Sequence, residues 1–283
     1  MRNFIKVAYV VVYDFIQIFN SILSVILLSS LTVSRKIKKI KKGNSCFVIA
    51  NGPSLNDEID YIKRNKKHNS LMTLNFFCNS KLFFDLKPEY YCISDPLVFN
   101  SNDGYERIPE NIDSFVENFN RINWECTLFY PQHFKTSFVL DKIKNDKITL
   151  RSFNSTPLYG KSNIIFHLFK KNLGMPIPES VIIAGIFLVI NMGFKNVELF
   201  GVDHTWINDF KVSATNSSSF KLEHFYGSNT RTKSDRSVSE FLISQHRLFK
   251  SHEILETYSN YRNSNIINHT QNSLIDSYKK RVI

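Results

Sequence analysis

The sequence predicts an α/β protein with a Rossmann-like, mostly parallel sheet flanked by helices, an N-terminal membrane-associated helix and a lid-like loop. Three observations carry this expectation. Short continuous apolar runs recur along the chain, as strands buried on both faces require. Helical stretches separate them, so the connections read as crossovers and the strands as parallel. The 283 residues, 43% hydrophobic and 22% charged, are enough for one sizeable globular α/β domain plus an appendage.

The first element is apolar from Phe4 to Val33. Its best stretch runs from Phe15 to Val33 and contains only Gln17 and Asn20 as strongly polar residues. That length is just sufficient for a spanning helix. Asp14 and the polar pair leave open a helix lying in the interface. Arg35–Lys42 follows, with six of eight residues Lys or Arg. The formal net charge of +11 is concentrated there, so it speaks for anionic lipid on a cytoplasmic face more than for the active site. No aromatic-basic interleaving accompanies the run, so no nucleic-acid partner is expected. A cleaved leader fits less well, because no small-x-small site follows the apolar run. Residues 1–43 are expected to be the anchor and basic segment, and 44–283 the globular domain.

After Gly43-Asn44 the elements follow in order. Cys46–Ala50 reads as a buried parallel strand, Asn51–Leu55 as a turn and Leu55 to about Arg64 as a helix. Further strands are expected at Leu71–Asn75, Tyr90–Ser94, Cys126–Tyr130 and Ile148–Ser152. Glu179–Met192 reads as an apolar helix closed by Gly193, and Val197–Gly201 as a strand. The polar stretch Ile207–Lys221 predicts a mobile loop, part of a lid over about 205–235. Ser237–Phe249 predicts a helix, Asn265–Asn268 a short strand and Asn272–Lys280 a terminal helix. Cys46, Cys78, Cys92 and Cys126 lack paired spacing and sit in apolar runs, as reduced core thiols do.

Ligands of open parallel sheets bind beyond the carboxyl ends of the strands. Asn51-Gly52-Pro53-Ser54, Asp95 and Asp203 all fall at such ends. In the first, Gly52 permits close backbone approach or positive φ, and Pro53 suits a first helical turn. The amides of that turn are expected to hold a phosphate, with Asn51 and Ser54 adding side-chain hydrogen bonds. The alternative is an ordinary capped turn, and the absence of G-K-[ST] separates the motif from a P-loop. Asp203 is suited to a ribose hydroxyl, or to a plain helix cap. His224, in Glu223-His-Phe-Tyr-Gly227, has the intrinsic pKa of a general base. His68, His133, His167, His204, His246, His252 and His269 compete for that role. No D-x-D pair is present, so neither a metal site nor a cofactor is expected.

These motifs, with Leu74-Asn75-Phe76-Phe77, Ser94-Asp95-Pro96, the block Gly193–Asp203, His224–Gly227 and Gln271–Leu274, occur in one order over about residues 45–276. That set resembles the bacterial sialyltransferases of glycosyltransferase family 42. It is also similar to the wider Asn-Gly-Pro-Ser group, which includes pterin-diphosphokinase-like domains. The resemblance implies a metal-independent, inverting transfer of a sialic-acid-like or Kdo-type sugar from a CMP-activated donor. It implies donor contacts at Asn51, Gly52, Pro53, Ser54, Asn75, Asp95 and Asp203, and places His224 as the base. It makes 44–283 a nucleotide-sugar-binding catalytic domain. The acceptor would be a glycan or glycolipid at the cytoplasmic face of a bacterial inner membrane, and homo-oligomerisation stays open.

Two departures stand out. Glu179-Ser180-Val181 replaces a Thr-Ser-Gly element, leaving Ser180 as the equivalent donor contact. His204, Thr205 and Trp206 replace tyrosines that steady the leaving phosphate, so Thr205 or Lys211 would take that part. Two other readings remain: a diphosphate or phosphate transferase of the same fold group, and a non-catalytic component of polysaccharide assembly.

Overall fold

The computed structural model describes residues 2–34, 37, 43–99, 109–222, 224–225, 230–234 and 236–283. All six basic residues of the Arg35–Lys42 run lie outside the described residues. The helices are α1 (Arg2–Leu28), α2 (Leu31–Ser34), α3 (Leu55–Asn65), α4 (Lys81–Leu86), α5 (Pro96–Phe99), α6 (Pro109–Asn120), α7 (Phe138–Asp141), α8 (Asn163–Lys170), α9 (Val181–Met192) and α10 (Val238–Tyr261). The strands are β1 (Ser45–Ile49), β2 (Ser70–Leu74), β3 (Tyr90–Cys92), β4 (Cys126–Pro131), β5 (Ile148–Phe153), β6 (Asn196–Phe200), β7 (Lys211–Val212), β8 (Ser218–Leu222), β9 (Thr230–Ser234), β10 (Asn265–Asn268) and β11 (Lys279–Lys280).

Eight strands make one parallel sheet in the order β11-β10-β6-β1-β2-β3-β4-β5. The chain winds outward from β1 to β5, then returns to β6 on the other side of β1. The direction of winding therefore reverses between β1 and β6, which opens a crevice at their carboxyl ends. Both sheet faces are covered, which explains the continuous apolar runs. Alternate side chains go to opposite faces. Val48, Met72 and Cys92 pack with α9, while Phe47, Ile49, Leu71 and Tyr91 join a second core with α3, α4 and α6.

Helix α9 is the keystone of the first core. Eleven of its residues, Ile182 to Met192, are buried. It can lie this close because a Cβ on Gly185 would stand 2.9 Å from Leu74 Cδ2. Gly193 ends the helix at φ 91°, the left-handed cap its sequence predicts. All four cysteines are free and buried.

Three elements differ from expectation. The loop of 207–221 is a short 3₁₀ turn, Thr205–Asp209, followed by an antiparallel sheet β7-β8-β9. Phe210 stacks on Phe241 of α10 at 4.0 Å and Phe220 approaches the same ring, so a distant aromatic orders a polar segment. The helix expected to stop at Phe249 runs on to Tyr261, because buried Ser251, His252 and Ser259 find partners inside and mask the apolar stripe. The expected terminal helix Asn272–Lys280 is absent. Ser273 Oγ accepts from Ile275 N, Leu274 N donates to the Asp203 carbonyl, and Lys279–Lys280 instead add strand β11. Such local side-chain bonds compete with helix formation.

Candidate active site

The crevice is assembled from the ends of β1 and β6. Ala50 N donates to Phe200 O, and Gly52 N to Gly201 O, both at 2.9 Å. Glycine at 52 answers a close approach: a Cβ there would sit 1.7 Å from Asp203 Oδ2 and 2.5 Å from Gly201 O. Gly201 takes φ 63° as the chain turns out of β6. Its amide donates 2.6 Å to Glu58 Oε2, a buried carboxyl that desolvation raises to about 7.

The expected phosphate cradle at the start of α3 is corrected by this geometry. The amides of Leu55, Asn56 and Asp57 already donate to the carbonyls of Gly52, Pro53 and Ser54 at 3.1–3.2 Å. Pro53 has no N–H. Ser54 turns its hydroxyl to Asp203 Oδ2 at 2.9 Å, and its amide also bonds that carboxylate. The chain's own anion therefore holds the positive end of α3. Burial raises the Asp203 pKa against the lowering effect of these bonds.

Asn51 Nδ2 donates to Leu74 O at 3.3 Å, while its Oδ1 is buried with no partner among the described residues. Asn75 follows β2 in the left-handed region, φ 46°, and is therefore a turn residue instead of the last residue of that strand. The Tyr91 hydroxyl fixes its carbonyl, and Ser94 N donates to its Oδ1 at 3.3 Å. Asp95 lies past β3 and is not among the residues lining the cavity; its carbonyl accepts from Val98 N at the start of α5.

His224 comes back across the crevice to Asn51. Its ring hydrogen-bonds the Asn51 carbonyl, which also accepts Phe225 N at 3.0 Å. Asn56 Nδ2 donates to Phe225 O at 3.2 Å, and the Phe225 ring lies 5.4 Å from Phe77. Burial holds the His224 pKa below its ordinary value, opposed by the bond to Asn51. A neutral imidazole has one N–H; donated to Asn51, it leaves the other nitrogen unprotonated. Glu223, Tyr226 and Gly227 of the same motif lie outside the described residues.

A cavity of about 170 Å³ joins these pieces. Asn51, Gly52, Pro53, Asn75, Ser180, Asp203, Thr205 and His224 all line it, and Ser54 touches it through Asp203. The amino end of α9 also opens into it. Ser180 forms no side-chain cap there, and among the described residues no acceptor takes the Val181 and Ile182 amides. Unsatisfied amides at a helix start form an anion site. The basic lining residue is Lys221 of β8, whereas Lys211 is exposed on β7. Trp206 forms part of the wall, its indole N–H donating to Gln245 at 2.9 Å.

His204 is a further wall residue. It takes φ 55°, and its Nε2 lies 3.0 Å from His252 Nε2, whose Nδ1 lies 2.9 Å from the Tyr278 hydroxyl. Burial lowers His204 to about 3 and His252 well below the usual value, so both stay neutral. Among the described residues, no three His, Cys, Asp or Glu side chains converge as metal ligands.

The fold and the crevice define a doubly wound parallel-sheet protein with a cavity at the switch point of its sheet. The chain belongs to the MptE-like family: residues 26–209 match the family described as 6-hydroxymethylpterin diphosphokinase MptE-like. The match ends before Lys221 and His224. Two of the similar solved structures are glycosyltransferases by their own descriptions. One is the MAf glycosyltransferase from Magnetospirillum magneticum AMB-1, at 14% identity and TM-score 0.49, covering 90% of this chain and 35% of that one. This chain thus spans about a third of that protein. The other is a mammalian sialyltransferase in complex with Gal-beta-1-3GalNAc-ortho-nitrophenol, at 12% identity and TM-score 0.37, covering 88% of this chain and 78% of that one. No curated protein matches.

Proposed function

We propose that this protein is a glycosyltransferase that moves a sialic-acid-like or Kdo-type sugar from a CMP-activated donor to a lipid-linked surface glycan. The observation that carries this reading is one cavity holding both a neutral imidazole and an anion site. His224 accepts the acceptor's hydroxyl proton as the alcohol oxygen attacks the anomeric carbon. The bond from that carbon to the CMP phosphate breaks, and the configuration inverts. No metal or cofactor enters. The Val181 and Ile182 amides, with Ser180, Thr205 and Lys221, receive the departing phosphate's charge. Asp203 accepts from ribose hydroxyls, and the orphaned Asn51 Oδ1 accepts from a donor group on the nucleotide. Residues 44–283 are then the catalytic unit, with the segment 205–235 closing over the donor. Residues 1–43 hold it at the cytoplasmic face of a bacterial inner membrane, where a lipid-linked acceptor is found.

Thermal shift with CMP, UDP, GDP and ATP tests the donor. Selective stabilisation by CMP is expected. The family description favours a second reading, diphosphate transfer to a hydroxymethylpterin alcohol. Stabilisation by ATP with magnesium in preference to CMP would favour that reading. No response to any nucleotide would favour a non-catalytic component of polysaccharide assembly.

A further inference from the structure

Helix α1 is built inside out. Its inner face mixes polar Gln17 and Ser21 with apolar Ile18 and Val25. Tyr159 N donates 2.8 Å to Ser21 Oγ, which is fully buried, and Gln17 lies against Gly160, where a Cβ would meet Oε1 at 2.7 Å. Just past the helix, Ser30 and Asn154 exchange two hydrogen bonds of 2.9 Å, and Ser29 Oγ donates to Leu173 O. Ile18 and Val25 are its apolar contacts with the core. The outer face carries Val12, Phe15, Ile16, Phe19, Leu23 and Ile26, all exposed. At 100° per residue these fall within one strip, and Asp14, Gln17 and Ser21 lie opposite. From Val11 to Leu28 the mean hydropathy is 1.9 and 6% of the window is buried.

We propose that α1 lies in the plane of an anionic bilayer as a fixed part of the domain and does not cross it. This inference rests on the membrane-surface part of the functional reading and is independent of the transfer chemistry. The occupant follows from charge and length. Six cations between Arg35 and Lys42 follow the helix, each worth roughly 1 kcal/mol near an anionic surface. A lipid-facing strip on a polar-backed helix is what sinks into the headgroup boundary. Spanning fails on length while the helix stays docked. From Gln17 onward it is stitched to the body. Even if all of residues 2–16 were free, they would reach about 22 Å against roughly 30 Å of hydrocarbon. Undocking would strip Asn154 Oδ1 of its Ser30 N–H and the Tyr159 N–H of its Ser21 acceptor, and carry Ser21 into lipid. The docking segment 154–160 leaves the carboxyl end of β5, at the end of the sheet where the cavity opens.

Spin labels on single cysteines introduced as Val12→Cys, Phe19→Cys and Ile26→Cys in the full chain test this. The four native thiols are buried and all three sites are exposed. In phosphatidylglycerol–phosphatidylethanolamine vesicles, oxygen and nickel collision rates should give one common shallow depth, about 5–10 Å below the headgroups. A spanning helix would separate successive labels by about 10 Å along the bilayer normal and overturn the proposal. Labels that all stay in water would overturn the lipid occupant, and equal partition into phosphatidylcholine would overturn the anionic preference. Depth is read without turnover, so His224→Ala, which tests the transfer reading, should leave it unchanged.

Discussion

In the proposed transfer His224 can serve as a base only while neutral, and burial holds its pKa below 6.5. Transfer should therefore stay at its plateau at neutral pH and fall along an acid limb lying below 6.5. Replacing His224 by Ala should cut kcat by roughly 10²–10⁴ and abolish that limb, with CMP affinity retained in calorimetry. Glu58 titrates in the opposite sense. Its folded pKa, raised to about 7 from 4.5, makes its contribution to stability complete below 4.5 and lost as pH rises through about 7. Glu58→Gln keeps an acceptor for Gly201 N. Denaturant midpoints of variant and parent should diverge in the variant's favour from pH 4.5 to 7, then run parallel. Turn chemistry and strand ends mark Asn51, Asn75, Asp203 and His224 in the sequence, and the structure gathers all four around one cavity. The sequence hides Glu58, His204 and Lys221, whose roles come from contacts with residues far along the chain. Asp95 has the same strand-end signature but does not line the cavity.

Elements buried on both sides are readable from their apolar runs; β1, β4, β6 and α9 fall close to their expected bounds. The β7-β8-β9 sheet is not, because its residues are polar and its order comes from stacking on Phe241. Phe241→Ala should loosen that sheet. Amide exchange should rise in Phe210–Leu222 while β1 and β2 stay protected, since their core is separate. Helix α9 should be the least tolerant element. Phe187→Ala, at a residue 1% exposed, should cost about 3–5 kcal/mol by denaturant unfolding.

Across the whole molecule, two buried neutral histidines set the acid limit. The unfolded chain takes up protons on His204 and His252 near 6.5, whereas burial makes the folded chain resist until about 3 at His204 and holds His252 well below its ordinary value. Their contribution to stability is present above 6.5 and lost as pH falls toward 3. His252→Gln should flatten the acid side of a melting-temperature profile between those limits.

One contact reaches past chemistry into how this chain can change. The missing side chain at position 52 is the space that the carboxylate of residue 203 fills, across 151 positions of sequence. Neither site is free to drift alone. A larger residue at 52 would evict the acid, and a longer acid at 203 would press on the backbone at 52. Any lineage or designer that alters one must alter the other in the same step, so the pair should be inherited together or lost together.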